Sequence, residues 1–352
     1  MLRTRAGVSL LAIVAFLSWS RSRGIGDRTL ADQQWANVGG DLQHELVQRP
    51  VQRLVDSLGW RTIFVPAIII TIAALAIVRW QIPSLRGKPN WAVLRSFDWG
   101  GVLMLGGAIT FLVLYISSRP VTGIEPLQDF RLIVVAGICA TGFVTWERRI
   151  RAPLINLDIM RNHNFLLASV TGALRMSMMI GMGFVLPLYL TDVYFMSASS
   201  IGLLATVHSI SQFFFIRSGG PLADRLPNRW LIVGGMGLQV LVMAYFALLP
   251  GNVSLLWVVV GSIANGLGAG ISLAAMHRTA LSDIPDRQTG SAAGTYSMTR
   301  FAGSLLSTAM AGVLLQNRLD AGVATLTAYQ IVYASLAVVG VFGILLASRL
   351  RN

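Results

Sequence analysis

Charge is scarce in this chain. Only 12% of its 352 residues are Asp, Glu, Lys or Arg and 54% are hydrophobic, against about 25% charge in ordinary globular proteins. A water-soluble fold cannot hide that much apolar surface, which argues against a soluble enzyme. Cysteine occurs once, at Cys139, so no intrachain disulfide exists. The signatures of soluble chemistry are missing as well: there is no G-x-G-x-x-G, P-loop, G-x-S-x-G or C-x-x-C. His44, His163, His208 and His277 are too scattered for a metal site, so neither cofactor nor metal is expected. Carboxylates avoid the middle of the apolar runs, with Asp98 and Asp192 at their ends. A membrane-embedded enzyme needs a His/Asp/Glu cluster there and is disfavoured.

What the chain does have is long apolar runs, at 62–78, 99–118, 132–146, 165–191, 200–216, 231–249, 254–276, 290–316 and 323–348. Their lengths suit a hydrocarbon core of about 30 Å, with the third run short. In lipid the backbone must satisfy its own hydrogen bonds, so these runs are expected to be helices of an all-α polytopic membrane protein. The net charge of +13 does not read as a nucleic-acid face, because the basic residues sit between apolar runs. Placing 217–230 in the cytoplasm fixes the other loops by alternation. The inside segments 79–98 and 147–164 then carry four Lys or Arg each, 217–230 three, and 277–289 and the tail from 349 two each. The outside loops hold only Arg119, Arg131 and Arg318. This is a positive-inside pattern in a plasma or bacterial inner membrane, with the C-terminus cytoplasmic. Residues 1–58 do not fit it, since residues 1–61 contain eight Arg on what alternation makes the outside. Trp60, Trp80, Trp91, Trp99, Trp146, Tyr189, Tyr194 and Trp230 flank the runs and read as interfacial belts.

The segment Gly220-Pro221-Leu222-Ala223-Asp224-Arg225-Leu226-Pro227-Asn228-Arg229 joins two runs on the inside. It resembles the signature loop of the major facilitator superfamily, G-x-x-x-D-R-x-G-R/K-R/K. Gly220, Asp224, Arg225 and Arg229 match, while Pro227 replaces the second glycine and Asn228 one basic residue. Four further stretches resemble the fourteen-span drug:proton antiporter branch: 58–64, 153–165, Leu186-Pro187-Leu188-Tyr189-Leu190, and 287–303. The resemblance implies a complete C-terminal six-helix bundle over 164–352. Two central linker helices with their loops occupy 81–163, and the last helix of the N-terminal bundle occupies 59–80. On this resemblance about five further helices would be expected upstream of it, and 1–58 reads as an atypical segment. The implied activity is proton-coupled efflux of amphipathic small molecules, with substrate, protons and bilayer as partners, no nucleic acid, and a monomer. The alternative is a truncated, inactive transporter fragment.

In that frame Asp224, Arg225 and Arg229 are candidates for a charge latch, or else a solvated loop. Arg175 and Arg300 lie inside apolar runs, where charge normally faces a cavity or a partner. They read either as contacts to substrate or a gate, or as packing residues satisfied by carbonyls, Asn265 or Gln212. His208 reads as a proton relay or a satisfied polar residue. Gly266 and Gly270, a G-x-x-x-G pair, with Gly294 and Gly303, are expected at close helix contacts. Met176, Met178, Met179 and Met182 line a pocket or fill core.

Overall fold

The computed structural model describes residues 65–81, 97–150, 154–155, 157–251, 253–285 and 288–350, and every regular element among them is a helix. In chain order these are α1 (Val65–Gln81), α2 (Trp99–Ile116), α3 (Arg119–Thr122), α4 (Phe130–Glu147), α5 (Leu157–Met160), α6 (His163–Asp192), α7 (Ala198–Arg225), α8 (Asn228–Leu248), α9 (Leu255–Leu281), α10 (Thr289–Asp320) and α11 (Thr325–Ala347). A long helix thus stands at each of the nine apolar runs. Seven of the described helices are long and apolar enough to cross a membrane; α1 and α7 are the two long helices outside that set. The segment 1–58, the stretch 58–64, and Trp60 and Trp91 lie outside the described residues, as do parts of 153–165 and 287–303.

Short polar residues set the helix starts. Asp98 accepts from the Gly101 amide, Asn162 from Phe165, Ser197 from Ser200 and Ser254 from Leu256, each meeting one of the amides left open at a helix N-terminus. Gly123 and Gly322 end helical segments with positive φ, 71° and 74°, a conformation that glycine adopts without steric cost. The third run is longer than its hydropathy suggests, with α4 covering 18 residues. The largest departure is α7, which continues to Arg225 over 28 residues. The expected signature loop is therefore mostly helix, and only Leu226 and Pro227 separate α7 from α8. Hydropathy marks where lipid stops, whereas a helix continues until its backbone is broken, here at Pro227.

The chain divides into Met1–Lys88, whose described part is α1, and Pro89–Asn352. Within the second unit, α6 packs against α10, α11 and α9, and less extensively against α7. α9 lies between α7 and α8, and α8 also packs on α11. α2 and α4 form a pair whose α2 touches α10. Two apolar cores occupy opposite ends of the bundle. One gathers Phe165, Ala223, Ile232, Met276, Ala292 and Ala347. The other gathers Tyr189, Phe246, Val258, Leu315, Tyr329 and Tyr333. Leu103, Leu241, Leu248 and Phe342 point outward and exposed, as a lipid-facing surface requires. Tyr189 departs from the belt reading: it is buried at the centre of an aromatic cluster with Tyr194, Phe246, Tyr329 and Tyr333. Trp80, Trp99, Trp146 and Trp230 are exposed near helix ends.

Candidate functional site

Arg175 on α6 is 1% exposed. Its Nε donates to Ser272 Oγ at 2.7 Å and its Nη2 to the Ala269 carbonyl, both on α9. Its partners are thus a hydroxyl and a carbonyl, and neither Asn265 nor Gln212 is among them. Arg300 on α10 is half-buried and differently placed. Its Nη1 lies 3.1 Å from His277 Nε2 of α9, and its guanidinium carbon 5.1 Å from the centre of the Tyr296 ring. Its Nη2 reaches only the Met176 sulfur, at 3.8 Å, and its Nε is buried without a partner. Because arginine only donates, His277 accepts through Nε2 and carries its proton on Nδ1. Gly172 on α6 makes room for this group, since a methyl there would stand 3.0 Å from the Tyr296 ring and 3.2 Å from Arg300 Cγ. His277, Tyr296 and Ser272 were not singled out by the sequence; the available signal was the polar character of Ser272 and Tyr296 within apolar runs, while His277 lies one residue past its run.

The methionines of α6 act as acceptors as well as filler. Gln212 of α7 donates to Met179 Sδ at 3.0 Å and Asn265 of α9 donates to Met182 Sδ, so three polar residues from three helices meet a spiral of sulfurs at positions 176, 179 and 182. A thioether is a weak acceptor, and Asn265 Oδ1 has no partner at all. His208 places Nδ1 3.0 Å from the Ser262 carbonyl of α9.

At the Phe165 end of the bundle, Asp224 pairs with Arg278 of α9 at 2.6 Å, and Arg278 also donates to the Ala223 carbonyl at 2.8 Å. The partner is thus a basic residue closing another helix, not Arg225 or Arg229. Arg225 is exposed, and Arg229 lies 5.5 Å over the Trp230 ring. Asn164 adds a bond to Asp283 at 3.0 Å at the same end. At the opposite end Arg119 bonds Asp320 at 2.5 Å and lies 3.7 Å from Glu125; the Asp320 bond, then the Glu125 charge, raise its pKa.

The glycines sort by neighbour. A methyl on Gly266 would stand 2.7 Å from Ser211 Oγ and one on Gly270 2.7 Å from Phe215 Cβ, so this pair seats α9 on α7. A methyl on Gly268 would stand 2.6 Å from the Gly235 carbonyl oxygen of α8, and one on Gly303 2.8 Å from Ala173 Cβ of α6. Gly294 departs from the packing expectation, because a methyl there meets nothing within 4 Å. Gly220 is likewise open, and its neighbour Gly219 makes the close approach to α9 instead.

Comparison with known proteins places this architecture. The profile of the Major Facilitator Superfamily matches residues 50–308 and, in an overlapping match, 166–352. An uncharacterized MFS-type transporter of Bacillus subtilis, YvkA, is 26% identical over 293 residues, covering 82% of this chain and 61% of the relative. The quinolone resistance protein NorB of Staphylococcus aureus is 26% identical over 270 residues, covering 73% of this chain and 55% of the relative. The chain therefore spans less than two thirds of the length of either protein. With spanning helices in the structure and this profile over most of its length, the chain is a multi-pass membrane protein and belongs to the Major Facilitator Superfamily.

Proposed function

We propose that the chain serves proton-coupled efflux of amphipathic small molecules, within the fourteen-span branch of its superfamily. In this reading α6 to α11 are the C-terminal six-helix half, α2 and α4 the central pair, and α1 the last helix of the other half. The Gly220 to Arg229 segment and the C-terminus face the cytoplasm of a plasma or bacterial inner membrane, and the protein works as a monomer.

One observation carries the reading. Polar groups of α7, α9 and α10, namely Gln212, Asn265 and Arg300, converge on α6 and hold weak sulfur partners there. Intramembrane polar groups are costly and mark substrate paths, and a weakly held donor is released to a ligand at little cost. The name of the Staphylococcus relative, a quinolone resistance protein, supports a drug-like amphiphile as cargo. Asp224 with Arg278 supplies the latch, an ion pair between two helix ends that one access state keeps and the other breaks. No Asp or Glu sits mid-span among the described residues, so a carboxylate proton acceptor in this scheme lies outside them.

Everted membrane vesicles test the proposal. With an established pH gradient, a fluoroquinolone should collapse the gradient in vesicles bearing the chain, and Asp224→Asn should slow that collapse. Gradients that stay intact at every drug concentration, with the protein present in the membrane, reject the efflux reading.

A further inference from the structure

Arg175 of α6 and Arg300 of α10 both reach α9, at Ser272 and at His277, and the membrane-embedded parts of α6, α9 and α10 contain no Asp or Glu to offset them. The two charges are treated differently. Arg175 is sealed against Ser272 and the Ala269 carbonyl of α9. Arg300 has only neutral partners: the His277 ring nitrogen, the Tyr296 π face and, at long range, the Met176 sulfur. Its buried Nε–H has none. The Tyr296 hydroxyl, on a residue 1% exposed, shares the space over Gly172 with the Arg300 side chain and has no partner at hydrogen-bond geometry. A buried donor left unmet costs more than a bond made is worth, and a guanidinium fork matches a carboxylate through two parallel N–H groups. His277, held as an acceptor with its ring 5.3 Å from that of Tyr296, fixes the orientation of the fork.

We propose that Arg300, with the Tyr296 hydroxyl beside it and His277 orienting it, forms a binding site for the anionic oxygens of an amphiphile, a carboxylate or sulfonate carried on an apolar body. This deepens the transporter reading and rests on it. Binding is measured without any transport cycle, so the two fail separately. The same oxyanion chemistry is offered by a soluble organic acid and by an anionic lipid headgroup, and the experiment distinguishes them.

The purified chain in a neutral detergent is titrated with 4-phenylbutyrate and with its neutral amide, following thermal unfolding by tryptophan fluorescence. The acid should bind about tenfold more tightly than the amide, the worth of a charged hydrogen-bonded pair. Arg300→Gln should erase the preference and Arg300→Lys should keep part of it. If Arg300→Gln does not fold, the wild-type comparison of acid with amide decides alone. A parallel titration with phosphatidylglycerol in mixed micelles separates the sources. Stabilisation that depends on Arg300 with the lipid and not the acid assigns a headgroup, and the converse assigns a solute. Equal binding of acid and amide with no lipid effect, no binding of any probe, or an anion preference that survives Arg300→Gln overturns the proposal.

Discussion

Asp224 and Arg278 make a 2.6 Å ion pair, yet their side chains remain 63% and 49% exposed. Water screens such a pair, so its static worth is small. Asp224→Asn should shift the unfolding free energy by no more than about 0.5 kcal/mol. Arg278→Ala should cost about 1 kcal/mol more, because it also removes the bond to the Ala223 carbonyl at the end of α7. Chemical denaturation in detergent checks both, and an Asp224→Asn loss larger than that of Arg278→Ala contradicts this ranking. Single residues such as Arg175 and Arg300 were legible in the sequence because charge inside an apolar run is conspicuous. Their partners were not. Ser272 and His277 lie on another helix, α9, and which of them meets an arginine depends on the rotation and depth of one helix against the next, whereas Tyr296 lies one turn from Arg300 on α10 itself. The same ignorance of register assigned Asp224 to the neighbouring arginines rather than to Arg278.

Between helices, glycine decides how closely backbones approach. α9 carries two such faces: Gly266 and Gly270 toward α7, and Gly261 and Gly268 toward α8. Gly270→Ala places a methyl 2.7 Å from Phe215 Cβ and 2.8 Å from the Ile216 amide nitrogen. Neither atom yields cheaply, and overpacking of this kind costs about 1–3 kcal/mol. Gly294→Ala meets open space and should stabilise α10 by about 0.5–1 kcal/mol through backbone entropy. Unfolding midpoints of the two variants should move in opposite directions; a loss of stability in both rejects this assignment of faces. The elements themselves were largely readable, since apolar length suffices to find a spanning helix. Their ends were less so: the charged last turns of α7 are helical but hydrophilic, and hydropathy reads them as loop. Gly294 shows the limit of composition, because a stripe of small residues does not reveal which of them has a neighbour.

Within Pro89–Asn352 the fold fixes which helix ends lie together, and the orientation proposed above puts the Leu226 end of α7 in the cytoplasm. With Cys139 replaced by serine, Leu226→Cys should react with a membrane-impermeant maleimide only in everted vesicles, and Phe195→Cys only in intact cells. Both residues are exposed at opposite ends of α7. Reversed labelling inverts the topology, and labelling from both sides in each case rejects a spanning α7. The all-α membrane class was legible from hydropathy alone, because lipid leaves the backbone few alternatives. The grouping of α2 and α4 with the following helices was not, since it depends on a tertiary contact between α2 and α10. The two residues between α7 and α8 set a bound on motion. Between Arg225 and Asn228 such a tether has three Cα–Cα links and spans at most about 11 Å. Shear between these two helices is therefore limited to about two helical turns, and any larger displacement of one must carry the other with it.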